Sequence, residues 1–111
     1  MSNWKYTSVQ HAARMSLGIT PNEYCVFDII YKSQTNPTYT VNGWAKNSYA
    51  DLSRFLGFSK GAIFGIIEKG VKEGLIEVNA ANPKLKKTTP KWYNTAYLDD
   101  DEIPIVTGKP R

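Results

Sequence analysis

Residues 48–78 read SYADLSRFLGFSKGAIFGIIEKGVKEGLIEV, and this stretch decides the fold. Leu52, Phe55 and Leu56 recur at helical spacing. Ser48, with Asp51 three residues on, supplies an N-terminal cap and an acidic group in the first turn. Gly57 stops that helix, because glycine enters the left-handed conformation without a clash. Ser59 can then cap a second helix, so the reversal takes only Gly57-Phe58-Ser59. The second helix, roughly 60–72, turns Ile63, Ile66, Ile67 and Val71 inward at intervals of three and four. It ends at Glu73-Gly74, and Leu75-Ile76-Glu77-Val78 reads as a strand.

A helix, a three-residue turn opened by glycine, a second helix and Gly-Leu-Ile entering a strand together resemble the winged helix-turn-helix DNA-binding fold. Counted from Tyr49, the apolar sites of such motifs fall at Leu52, Leu56, Phe58, Ile63 and Ile66. Gly57 takes the turn position, and Ser53 stands where a small residue is usual. With its flanks the resemblance covers about residues 19–98. It implies an α+β domain with three core helices, a small antiparallel sheet and a β-hairpin wing. It also implies a kinship with bacterial and phage regulators and with the DNA-binding modules of replication initiators.

Upstream, Thr20-Pro21-Asn22-Glu23 is a strong helix start, with a capping threonine, proline in the first turn and a glutamate able to close a capping box. That helix runs to about Ser33, with Val26, Phe27 and Ile30 on its core face. Asn36-Pro37 ends it, Asn42-Gly43 signals a turn, and residues 43–46 are the candidate first strand. Residues 1–18 form an N-terminal extension, with a strand-like WKYTSV and a short helix around Gln10 to Leu17 closed by Gly18. Downstream, a turn over 79–83 leads into the lysine-rich loop 84–91. The alternation of Trp92, Asn94 and Ala96 against Tyr93, Thr95 and Tyr97 predicts a second hairpin strand over 92–98. Residues 99–111, beginning Asp99-Asp100-Asp101-Glu102, read as a disordered acidic tail.

The 111 residues fit one domain. No apolar run reaches the roughly 20 residues that span a bilayer, and MSNWKYTSVQ lacks a secretory layout, so no membrane association and a cytoplasmic location are expected. Cys25 and His11 each occur once, which excludes an intrachain disulfide and the common zinc sites. Neither a nucleophile–base set nor a phosphate loop of known spacing is present, so no enzyme and no cofactor are expected. Residues 1–98 hold 12 basic and 6 acidic side chains, a net of +6, and residues 99–111 hold 2 and 4, a net of −2. A basic body favours a polyanionic partner.

The winged helix resemblance implies that this polyanion is double-stranded DNA. Lys84, Lys86, Lys87 and Lys91, with Thr88 and Thr89 among them, offer cations and hydroxyls for phosphate oxygens. At the entrance of the motif Lys46, Asn47, Ser48 and Tyr49 can meet a phosphate beside helix amides. Ser59, Lys60, Gly61, Phe64 and Lys69 belong to the helix expected to enter the major groove. That helix lacks the Arg, Asn and Gln that read base edges, so binding is expected to be driven largely by the backbone. The competing reading is a protein-interaction module built on the Phe64 face. The short extension leaves a homodimer open.

Overall fold

The computed structural model describes residues 7–98, and these form an α+β fold. Helix α1 (His11–Leu17) ends at Gly18, whose left-handed φ of 72° closes the helix as the sequence predicts. Helix α2 (Pro21–Gln34) carries the expected capping box: the Glu23 N–H donates to Thr20 Oγ1 (3.2 Å) and the Thr20 N–H to Glu23 Oε1 (2.8 Å). Tyr24, Val26, Phe27, Ile29 and Ile30 of α2 are all buried, making it the central core element. The strands β1 (Thr40–Val41) and β2 (Trp44–Ala45) turn through Asn42-Gly43, both at positive φ (53° and 86°), which is the chemistry a tight hairpin turn demands.

Helix α3 (Tyr49–Leu56) has its own capping box between Ser48 and Asp51, and Gly57 closes it at φ 74°. Ser53, the small residue of this helix, donates its hydroxyl to the Phe58 carbonyl and so braces the turn. Helix α4 (Lys60–Lys72) follows, capped by the Ser59 hydroxyl on the Ala62 N–H (3.1 Å). Then come β3 (Ile76–Val78), β4 (Lys86–Thr88) and α5 (Pro90–Ala96). The four strands form one antiparallel sheet in the order β1-β2-β4-β3, with Ala45 opposite Lys86 and Glu77 opposite Lys87.

Four expectations are corrected. Residues 92–98 do not form a hairpin strand: Pro90–Ala96 is helix α5, and the strand partner of β3 lies earlier, inside the lysine-rich segment. Val71 is not on the inward stripe but 45% exposed; the inward face of α4 is Ile63, Ile67 and Gly70. An additional strand, β1, precedes the expected one. Of the strand-like N-terminal segment, Thr7–Val9 is not a strand, and residues 1–6 and the acidic tail lie outside the described residues.

Helix α5 completes the core rather than edging it. Trp92 is fully buried, and the Tyr24 hydroxyl donates to the Ala96 carbonyl (2.8 Å), tying α2 to α5. Ala12 and Ala13 of α1 enter the same cluster, and α1 lies against α5 and α2.

Gly70 marks the tightest approach. A Cβ there would stand 2.6 Å from Ile76 Cγ1 and 2.8 Å from Phe27 Cε1, atoms of two buried side chains. Gly70→Ala is therefore expected to destabilise the fold by about 1–3 kcal/mol despite alanine's better helix propensity. At Gly65 a Cβ meets nothing within 4 Å, so Gly65→Ala is expected to stabilise by roughly 0.5–1 kcal/mol. Urea unfolding of the two variants beside the parent tests the pair; equal midpoints for Gly70→Ala and Gly65→Ala would contradict this packing.

Candidate functional site

Where α3 begins, the chain places charge and aromatic surface side by side. Lys46, Ser48 and Tyr49 come from the entrance of α3, and Pro83, Lys84 and Lys86 from the β3–β4 connection and β4. Together they line a cleft of about 370 Å³.

Lys86 is the least ordinary member. Its side chain is buried, and Nζ donates to the backbone carbonyls of Asn47 (2.7 Å) and Lys84 (3.0 Å), so this one ammonium clamps β4 to the α3 entrance. Nζ also lies 5.5 Å from the centroid of the Tyr49 ring. Burial pushes the Lys86 pKa down to about 8, with the nearby Asp51 carboxylate offsetting part of that effect. Asn47 is buried as well, and its side-chain Oδ1 has no hydrogen-bond partner among the described residues.

The predicted contact residues thus divide by accessibility. Lys46, Lys60 and Lys84 are exposed and have no ion-pair partner among the described residues. Ser48 and Ser59 are exposed, but each hydroxyl accepts a helix N–H as a cap. Gly61 is open, and Phe64 is 47% exposed with its ring edge-on to Tyr49 at 5.9 Å. Lys87 is half-buried, its ammonium 4.3 Å from the centre of the Trp44 ring.

The remaining lysines and threonines do not form the mobile cationic loop that the sequence suggests. Lys86 and Thr88 share the inner face of β4. The Thr88 N–H and hydroxyl both donate to Gln34 Oε1 (2.6 and 2.9 Å). The Thr89 hydroxyl donates to the Gly74 carbonyl (2.6 Å) and Lys91 Nζ to the Glu73 carbonyl (2.8 Å), capping the end of α4. Lys69 pairs with Glu23 across α2 and α4 (2.9 Å). Asn47, buried under Lys86, likewise serves the fold. Lys86 and Thr88 are engaged because β4 sits between two other strands and carries them into the body of the domain.

Sequence reasoning missed Pro83, which walls the cleft, and Trp44, which carries Lys87. A tryptophan beside a turn signal was the available hint. It also missed how apolar the outer face of α4 becomes. Tyr49, Phe64, Ile67, Val71 and Val78 line a shallow groove of about 350 Å³, edged by Glu68 and Lys72.

Among the described residues no group of three or more metal-ligating side chains occurs, and no helix is long and apolar enough to cross a membrane. Comparison with protein-family models, with curated proteins and with solved structures finds no match for the chain.

Proposed function

We propose that the chain is a double-stranded DNA-binding protein of winged helix-turn-helix type, serving a transcriptional regulator's role or that of a phage or mobile-element replication component. One observation carries this reading. Tyr49 joins two surfaces: it walls the cleft with Lys46 and Lys84, and its ring touches Phe64 on the outer face of α4. The start of α4, with exposed Lys60 and open Gly61, therefore continues a surface that carries unpaired cations. In this reading α4 enters the major groove while Lys46, Lys60 and Lys84 meet phosphates, and the β3–β4 hairpin acts as the wing.

The test is fluorescence anisotropy on a labelled random-sequence duplex over a range of salt. With three phosphate contacts the log–log slope is expected to be about −3, at roughly 0.9 per phosphate. The combined Lys46→Ala, Lys60→Ala and Lys84→Ala variant is expected to flatten it, without touching the buried Lys86. Absence of binding even near 50 mM salt would defeat the proposal.

A second reading has its own observation. The outer face of α4 presents Phe64, Val71 and the carboxylate of Glu68, a surface suited to a protein partner more than to a phosphate backbone. Under that reading Phe64→Ala abolishes partner binding, and salt has little effect.

A further inference from the structure

We propose that the cleft between the entrance of α3 and the β3–β4 connection binds a phosphate ester joined to a flat ring, the chemistry of a nucleoside monophosphate. At about 370 Å³ the cleft lies within the range of small-molecule sites and has room for more than a phosphate alone. Its lining contains three lysines and no carboxylate. A lysine ammonium is a compact point charge that suits a doubly charged phosphate.

The rest of the wall is flat and apolar, from the Tyr49 ring and Pro83. Such a surface suits the face of a ring. The phosphate would meet the lysines while the ring lies against Tyr49 and Pro83, which neither a bare anion nor an uncharged nucleoside can do in full.

Lys86 makes the cleft a built site rather than a chance gathering of surface cations. It is held at a fixed position by two carbonyls, which leaves the third N–H of its ammonium uncommitted by those bonds. Because the amine is buried, an anion at its side interacts with little dielectric screening. Asp51, the carboxylate within Coulombic reach, already accepts from the Ser48 N–H (3.0 Å) and pairs with Arg54. The helix end adds less, since the Ser48 hydroxyl is already taken by the Asp51 N–H. The cationic side chains therefore carry the recognition.

This inference rests on the cleft and not on the reading of α4 as a DNA-binding helix. The full chain is titrated calorimetrically with AMP, inorganic phosphate and adenosine, and separately with a short duplex bearing 5′-phosphate or 5′-hydroxyl ends. AMP is expected to bind at least about tenfold more tightly than phosphate or adenosine, the equivalent of about 1.4 kcal/mol. Lys84→Ala, an exposed substitution that leaves the Lys86 clamp in place, is expected to weaken AMP about tenfold. Tyr49→Leu is expected to weaken AMP while leaving phosphate unchanged. A preference for the 5′-phosphorylated duplex over free AMP would identify a strand end as the source of the same chemistry. No heat from AMP or from either duplex at millimolar concentration overturns the proposal, as does an AMP affinity that Lys84→Ala leaves unaltered. Duplex affinity that depends on Lys60 but is indifferent to AMP would leave the DNA reading standing without this one.

Discussion

Trp92→Ala is expected to lower the thermal midpoint of the chain by about 20 °C or more. Trp92 is among the largest fully buried side chains, and its ring packs edge-on against Tyr24 (4.8 Å), Phe27 (5.5 Å) and Tyr97 (5.9 Å). Truncating a buried tryptophan to alanine costs about 3–5 kcal/mol, through lost transfer energy and the cavity left behind. Edge-to-face aromatic pairs add roughly 0.5–1.5 kcal/mol each to what is lost. A domain of this size has a total stability of about 5–15 kcal/mol, so a loss of roughly 5–10 kcal/mol takes at least about a third of it and exceeds the lower figure. The damage extends to α5, which is then held to α2 by two hydrogen bonds, the Tyr24 hydroxyl on the Ala96 carbonyl and the Tyr97 hydroxyl on Asp28 Oδ1 (2.7 Å), and by the half-buried Tyr31 ring against Tyr93 and Tyr97. Trp92→Phe keeps an aromatic ring among these neighbours and is expected to remain folded with a lowered midpoint. Far- and near-ultraviolet circular dichroism during thermal melting checks both; a cooperative Trp92→Ala transition within a few degrees of the parent would show that α5 is not part of the core.

The same helix shows where reading the sequence stops working. Thr89-Pro90 is the kind of start signal that located α2 at Thr20-Pro21, yet the segment behind it is only seven residues long. Over so short a span Trp92 and Ala96 share a face whether the period is 2 or 3.6, so alternation and helical spacing cannot be separated. Tertiary context decides: in the fold the Trp92 ring packs against both Tyr24 and Phe27 from a helix. Elements whose signals are local were legible. The capping box at Thr20, the cap at Ser48, the glycines that close helices at 18 and 57, and the Asn42-Gly43 turn all form from residues within a few positions of one another. Of the cleft's lining the sequence picked out Lys46, Ser48, Tyr49, Lys84 and Lys86, but not which of these are exposed and which are held by the fold. A lysine is outside by default, and nothing within a few residues of Lys86 indicates that carbonyls of Asn47 and Lys84 will receive it. That outcome depends on β4 pairing with β2 across about 40 residues of chain, a non-local event.

Stability is expected to rise with pH between about 8 and 10 in the parent chain, and this rise is expected to vanish in Lys86→Met. Lys86 titrates near 8 in the fold, against an ordinary value of 10.5, because burial disfavours its charged form. Below about pH 8 the amine is protonated in both states, and the folded state carries the full burial penalty. Between about 8 and 10.5 the folded amine sheds its proton while the unfolded one keeps it. The unfolded state then binds more protons, so stability climbs with pH. At about 1.4 kcal/mol per pKa unit, the interval from 10.5 to about 8 corresponds to a rise on the order of 3 kcal/mol. Other groups pull the opposite way at the upper end. Burial raises the pKa values of Cys25, Tyr24 and Tyr97, whose ordinary values are 9.0 for the thiol and 10.0 for the phenols, so each removes stability as pH rises past its ordinary value. The parent curve should therefore climb from about pH 8 and turn over near 10, and the variant curve should only fall. Methionine keeps an apolar stem of similar length but leaves the Asn47 and Lys84 carbonyls without their donor, an offset of about 1–3 kcal/mol that does not vary with pH. Subtracting the two urea-unfolding curves from pH 7 to 10.5 isolates the Lys86 contribution. A difference independent of pH would mean that the amine is solvated, and the clamp between β4 and the entrance of α3 would then have to be rejected.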